Sequence, residues 1–202
     1  MKARVLCYLP AIDGTPLDNG IDVWSRLWNL KAPKELRCSH SEVWTPGELG
    51  LEQITAEGVR AFLGDCYTST MRKHDDGVCK NQASWTLRNP DRWNFFELEI
   101  RDVWYHHFIR EMETKVANNQ GYDKWTIASY FWYKRLGNPS KFICSEFVHL
   151  SILPYVEGKV FRNLVALNCP SPIRLAYALW RSGLDLYSLK TGNVILKGQD
   201  DV

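Results

Sequence analysis

The chain has 202 residues, 45% of them hydrophobic, which is enough for one sizeable core and too little for two ordinary domains joined by a linker. Its 25 basic and 23 acidic side chains leave a net charge of +2 with no block of like charge, so electrostatics gives no case for a nucleic acid or an anionic membrane as main partner. No apolar run is long enough to span a bilayer, and the opening run of Met1 to Leu9 is too short for the apolar region of a secretory signal.

In chain order, Val5 to Leu9 alternates poorly but is apolar enough for a short strand, ended by Pro10 and the Asp13-Gly14 turn signal. Ile21, Trp24, Leu27 and Trp28 recur at helical spacing, which predicts an amphipathic helix over 21–30 broken by Pro33. From Leu36 to Trp44 the pattern alternates, with Leu36, Cys38, His40, Glu42 and Trp44 on one side, so a strand is expected with His40 and Glu42 projecting from the same face. Gly58 to Thr70 reads as one or two strands broken at Gly64-Asp65. His74-Asp75-Asp76-Gly77 reads as a turn, followed by a short segment around Val78 and Trp85, and Trp93 to Ile100 as another strand.

Helical periodicity then takes over. Val103, Trp104, His107, Phe108 and Met112 form one stripe, Trp125, Ala128 and Phe131 a second, and Phe147, Leu150 and Leu153 a third. After Pro172, a last helix carries Ile173, Ala176, Tyr177, Leu179 and Trp180. A strand-rich first half followed by a helix-rich second half argues for an α+β domain over 1–202. The nine tryptophans read mainly as core rings with satisfied polar tips, although some, as in Asp91-Arg92-Trp93, can line a substrate groove.

Six cysteines occur without a C-x-x-C pair, which points to reduced thiols and a cytoplasmic setting. Cys144 follows two apolar residues at the start of a helical pattern. At a helix N-terminus the free backbone N–H groups and the macrodipole favour a thiolate, and the same groups can hold an oxyanion. A cysteine nucleophile needs a rigidly held imidazole. Of the five histidines, His40 lies on a strand, His74 in a polar turn, and His106, His107 and His149 on helices, which makes His40 the candidate base. Taken alone, a cysteine like Cys144 is more often a buried structural thiol, and a histidine like His40 more often a satisfied core or surface residue.

At these residues the sequence resembles a known family. Cys38-Ser39-His40-Ser41-Glu42-Val43 is similar to the S-H-x-x-aliphatic strand of the permuted branch of NlpC-type papain-like enzymes, a branch that also resembles the lecithin:retinol acyltransferases. Phe142-Ile143-Cys144-Ser145-Glu146-Phe147-Val148 is similar to its C-S-E helix start. Gly64 to Arg72 with Asp75-Asp76-Gly77-Val78 resembles a stretch of phage-borne members, and Arg92-Trp93 their R-W-D strand, with Asn94 in place of the Asp. The resemblance covers about residues 36–150. It implies a permuted papain-like fold, an antiparallel sheet packed against helices with the nucleophile at a helix N-terminus and the His-bearing strand preceding the Cys-bearing helix.

The resemblance also implies a cysteine hydrolase that takes a peptide, amide or ester substrate, with peptidoglycan peptides as one class, and needs no cofactor or metal. A phage-borne member would be virion-associated. Many members orient the imidazole with a Glu or other polar group on the next strand. The matching stretch here offers Thr68 or Ser69, with Glu42 as rival and Asp75 or Asp76 next.

Three other readings stand beside this one: an acyltransferase using the same Cys/His pair, a non-catalytic virion or interaction protein on the same scaffold, and a zinc site drawing on Cys38, His40, Cys66 and Cys79.

Overall fold

A computed structural model describes residues 1–9, 32–46, 52–54, 60–72, 75–118, 120–123, 141–168 and 170–199. The helix expected over 21–30, the Trp125–Phe131 stripe, Pro139-Ser140, His74 and Cys169 lie outside them. The described elements are β1 (Lys2–Tyr8), β2 (His40–Thr45), β3 (Glu52–Ile54), β4 (Arg60–Phe62), β5 (Asp65–Arg72), β6 (Asp75–Gln82), α1 (Ala83–Thr86), β7 (Trp93–Glu99), α2 (Asp102–Ala117), α3 (Cys144–Ile152), α4 (Gly158–Val165), α5 (Pro172–Arg181), β8 (Leu186–Ser188) and β9 (Val194–Leu196).

Seven strands form one antiparallel sheet in the order β6-β5-β2-β1-β7-β8-β9, and β3 pairs with β4 apart from it. The architecture is α+β. β1 lies mid-sheet and is covered on both faces, which explains its poor alternation: Val5 and Cys7 enter the core beneath the helices, while Leu6 enters a second cluster on the opposite face. On the helix side, Val43, Tyr67 and Phe96 of the sheet meet Phe108 and Met112 of α2, Phe147, Val148 and Ile152 of α3, and Leu175 and Leu179 of α5. Trp44, Cys66, Trp93, Phe95 and Leu87 fill the other face.

Several local expectations shift. The strand expected over 36–44 starts only at His40, because Leu36 closes a turn onto the Pro33 carbonyl (3.0 Å) and the Cys38 thiol turns back onto the His40 carbonyl (3.2 Å). Cys38 and Leu36 therefore join the helix-side core, away from Trp44. The Asp-Gly turn is displaced as well: β5 and β6 stay paired from Asp65↔Gln82 to Arg72↔Asp75, so Asp76 and Gly77 are strand residues. Gly77 adopts φ +126°, and a Cβ there would stand 2.4 Å from the Gln120 carbonyl oxygen, so only glycine lets 120–121 pass this close.

α2 faces the core through Tyr105, Phe108 and Met112, an i, i+3, i+7 stripe. Val103 (80% exposed) and Trp104 (51%) point outward, off the face that Tyr105, Phe108 and Met112 turn to the core. In α3 the inward face is Cys144, Phe147, Val148, Ser151 and Ile152, while Leu150 is exposed and Leu153 half-buried. α4 and the β8–β9 extension carry no pattern singled out in the sequence.

Candidate active site

Cys144 is the first residue of α3, and the N-cap, Ile143, is apolar with extended backbone. No side-chain hydrogen bond from the N-cap closes this terminus, and the first turn of a helix favours an anion at its N–H groups.

The approach of the helix to the sheet is set by small residues and a clamped backbone. α3 lies against β2 and β5, where Ser41 and Ser69 are fully buried. Ser69 donates its hydroxyl to the Phe142 carbonyl at 2.7 Å, two residues before the nucleophile. The same carbonyl accepts from the Asp123 N–H (3.1 Å), and the Phe142 N–H donates to the Gly121 carbonyl (3.2 Å). Ser145 is tied to the Pro170 carbonyl at 2.6 Å. Cys144 is thus delivered from a backbone held on two sides and is 5% exposed.

His40 is brought to it from the start of β2. The Cys144 and His40 side chains lie within hydrogen-bonding reach of one another. The Nε2 of His40 is occupied by the Glu42 Oε1 at 3.1 Å and the Thr68 Oγ1 at 3.2 Å. Thr68 also donates to the Ser41 carbonyl at 3.0 Å, which commits its one hydrogen. Toward His40 it therefore accepts, and Nε2 carries the proton. Nδ1 is left to take a proton from the Cys144 thiol.

Burial works against a charged His40, but the facing Cys144 thiolate and then the Glu42 carboxylate outweigh it and push the imidazole pKa up to about 10. The Glu42 carboxylate and the neighbouring sulfur thus both favour a protonated His40, which suits the ring to take a proton from the Cys144 thiol. The His40 side chain keeps 18% exposure while that of Glu42 has none, so solvent reaches the imidazole but not its carboxylate partner.

The five residues singled out in the sequence divide into two sets. Cys144, His40, Glu42 and Thr68 meet; Ser69 is spent on the Phe142 carbonyl and acts on the position of Cys144 rather than on the ring. Glu42 and Thr68, set as rivals by sequence, share one nitrogen. Asp76 is exposed on β6, and the side chain of Asp75 lies outside the described residues. The remaining described histidines are engaged elsewhere: His107 pairs through Nδ1 with the Tyr155 hydroxyl (2.6 Å), His149 is buried with Nε2 on the Leu164 carbonyl (2.9 Å), and His106 is exposed.

The set of sulfurs and imidazole considered for zinc does not converge. Cys38 belongs to the helix-side core and Cys66 to the opposite face, and among the described residues no group of three or more His, Cys, Asp or Glu could hold a metal ion. All five described cysteines are free thiols. Burial, then the Glu42 charge, pushes the Cys66 thiol well up, and the contact with Cys38 together with burial does the same to Cys7.

Sequence reasoning left Trp93 out of the site. Its ring stands edge-on to His40, centroids 6.5 Å apart, and Tyr8 stands edge-on to Trp93 at 5.0 Å. The signal available was the Asp91-Arg92-Trp93 run, which the sequence offered as groove-lining without linking it to His40. Comparison with protein-family models, curated proteins and solved structures returns no match, so the reading of this site rests on its own geometry.

Proposed function

We propose that the chain is a cysteine-dependent hydrolase, an amidase or peptidase of the permuted NlpC-type papain-like branch, working through a thioester. The observation that carries this reading is that Cys144 opens a helix against an imidazole whose far nitrogen is held by a buried carboxylate and a hydroxyl. The order of a His-bearing strand before a Cys-bearing helix, and an antiparallel sheet beneath that helix, support it.

In the reaction, the Cys144 thiolate adds to the carbonyl carbon, and the negative charge moves to oxygen, where the Cys144 backbone N–H holds it. The His40 imidazolium gives its Nδ1 proton to the leaving amine or alkoxide as the C–N or C–O bond breaks. Water, deprotonated by the now neutral His40, adds to the thioester and releases the acid and the thiolate. An amine or alcohol entering in place of water gives acyl transfer by the same steps.

The test has two parts. Iodoacetamide labelling followed by peptide mass spectrometry should modify Cys144 far faster than the other cysteines, and that advantage should vanish in His40→Ala. A panel of peptidoglycan, peptide and lipid-ester substrates should then show turnover that Cys144→Ala removes. Equal labelling of all cysteines, with no turnover on any panel member, would leave a non-catalytic scaffold as the reading.

A further inference from the structure

Arg92 is the one singled-out residue beside the Cys144–His40 pair that the proposed chemistry does not use. From His40 the edge-on contact with Trp93 leads to Tyr8, and the Arg92 guanidinium lies 5.5 Å from the Tyr8 ring, with Nη2 donating to the Tyr8 hydroxyl at 3.4 Å. Register gathers these residues: Tyr8 pairs with His40 on one side and with Trp93 on the other, and the Leu9 N–H donates to the Arg92 carbonyl at 2.8 Å. The imidazole, two aromatic rings and a cation therefore stand in sequence along adjacent strands.

Among the described residues Arg92 has no carboxylate partner. The neighbouring carboxylate, Asp91, is held by Lys190 at 3.1 Å. Arg88, the next guanidinium upstream, packs over Trp85 instead. Among the described residues the Arg92 side chain meets a neutral hydroxyl and a ring face, and a guanidinium fork is complementary to a carboxylate. Arg92 and Tyr8 are both half-buried, so the cation is reachable from solvent.

We propose that the outer end of this row is a substrate subsite, with the half-buried Tyr8 ring as its aromatic wall, Trp93 buried behind it, and Arg92 as the receptor for a carboxylate of the acyl compound. The inference rests on the cysteine-hydrolase reading and names its substrate class: acyl compounds carrying an acidic side chain beside the bond that is cleaved. Arg92 touches substrate but no reacting atom, and its role is specificity.

Three isosteric reagents test this on the intact chain: bromoacetyl-glutamic acid α-amide, with a side-chain acid; bromoacetyl-glutamine, with an α-acid; and neutral bromoacetyl-glutamine amide. In each, the Cys144 thiolate displaces bromide, forming a C–S bond as the C–Br bond breaks, and the rate is read by mass spectrometry. The side-chain acid should react on the order of fivefold to tenfold faster than the neutral amide, an advantage that shrinks in 1 M salt. The ratio should fall to about one in Arg92→Gln and recover in part in Arg92→Lys, with thermal melting confirming that each variant folds. A preference confined to the α-acid and lost in Arg92→Gln would keep the carboxylate receptor but assign it to a chain terminus. Equal rates for acids and amide, or an acid preference that survives Arg92→Gln and so belongs to the His40 imidazolium alone, would overturn the subsite while leaving the hydrolase reading in place. Slow labelling of Cys144 by all three reagents would overturn both.

Discussion

Replacing Glu42 by Gln removes one charge from the His40 pair while keeping the shape of the side chain and an acceptor oxygen for Nε2. Glu42 is fully buried and its Oε1 is 3.1 Å from the ring nitrogen, so the contact is a charged hydrogen bond with little solvent screening. Such a bond is worth about 1.5–3 kcal/mol. At about 1.4 kcal/mol for each pH unit, Glu42→Gln should lower the His40 pKa by about one to two pH units. From a starting value of about 10 the imidazole then remains mostly protonated at neutral pH, and the alkaline limb of kcat/KM moves down with it. If the lost stabilisation is carried into the transition state, kcat/KM falls about ten- to a hundredfold.

Thr68→Val removes only a neutral acceptor at 3.2 Å and should lower the pKa by less than about one pH unit. The assay is a ¹⁵N NMR titration of the His40 ring in wild type and both variants, read beside the pH profile of turnover. A His40 pKa within about 0.3 of wild type in Glu42→Gln would refute the reasoning, because a buried ionic contact at this distance cannot be energetically silent.

Further outcomes follow from neighbouring parts of the structure. Cys144→Ala should abolish turnover without changing the thermal midpoint by more than a few degrees, whereas Cys66→Ala and Cys7→Ala, which remove deeply buried unreactive thiols, should cost about 1 kcal/mol of stability in urea titrations and leave turnover largely intact. Gly77→Ala should destabilise by about 1–3 kcal/mol and slow Cys144 alkylation as well, since the 120–123 segment it displaces is the one that clamps Phe142. His40 and His149 should act oppositely on the pH dependence of stability. The His40 pKa is raised, so its contribution is complete below the unfolded value of about 6.5 and is lost as pH rises toward about 10. Burial lowers the His149 pKa, so below pH of about 6.5 the unfolded chain takes up a proton that the folded one does not, and stability falls with acid. His149→Gln should flatten that acid loss, measured as urea midpoints at several pH values; an unchanged acid slope would remove His149 as its source.

Much of the candidate site could be read directly from residue order and period. The alternation over His40, Glu42 and Trp44 placed the imidazole and the carboxylate on one strand face, and the apolar run ending at Cys144 placed the thiol at a helix start. Both are local properties of backbone geometry, with a period of two in the strand and an uncapped first turn in the helix, and they need no knowledge of the rest of the chain. The strand break at Gly64-Asp65 and the helix after Pro172 are local in the same sense.

What depended on contacts between distant segments was decided only by the tertiary structure. Sequence offered Glu42 and Thr68 as alternatives because it could not say that β5 would pair with β2 in the register Val43↔Tyr67, which sets Thr68 beside Glu42. It assigned Ser69 to the imidazole because adjacent hydroxyls look alike in a string, whereas alternate strand residues face opposite sides and Ser69 faces the helix. It gave α2 a stripe through Val103 and Trp104, since apolar spacing alone does not reveal which face of a helix meets the core. It read Asp76-Gly77 as a turn because the demand on that glycine comes from Gln120, more than forty residues away, and not from its neighbours. The meeting of Cys144 with His40 arises only when α3 packs on β2 and β5, and the row from His40 through Trp93 and Tyr8 to Arg92 only when β2, β1 and β7 lie side by side, a consequence of non-local pairing that no local pattern encodes.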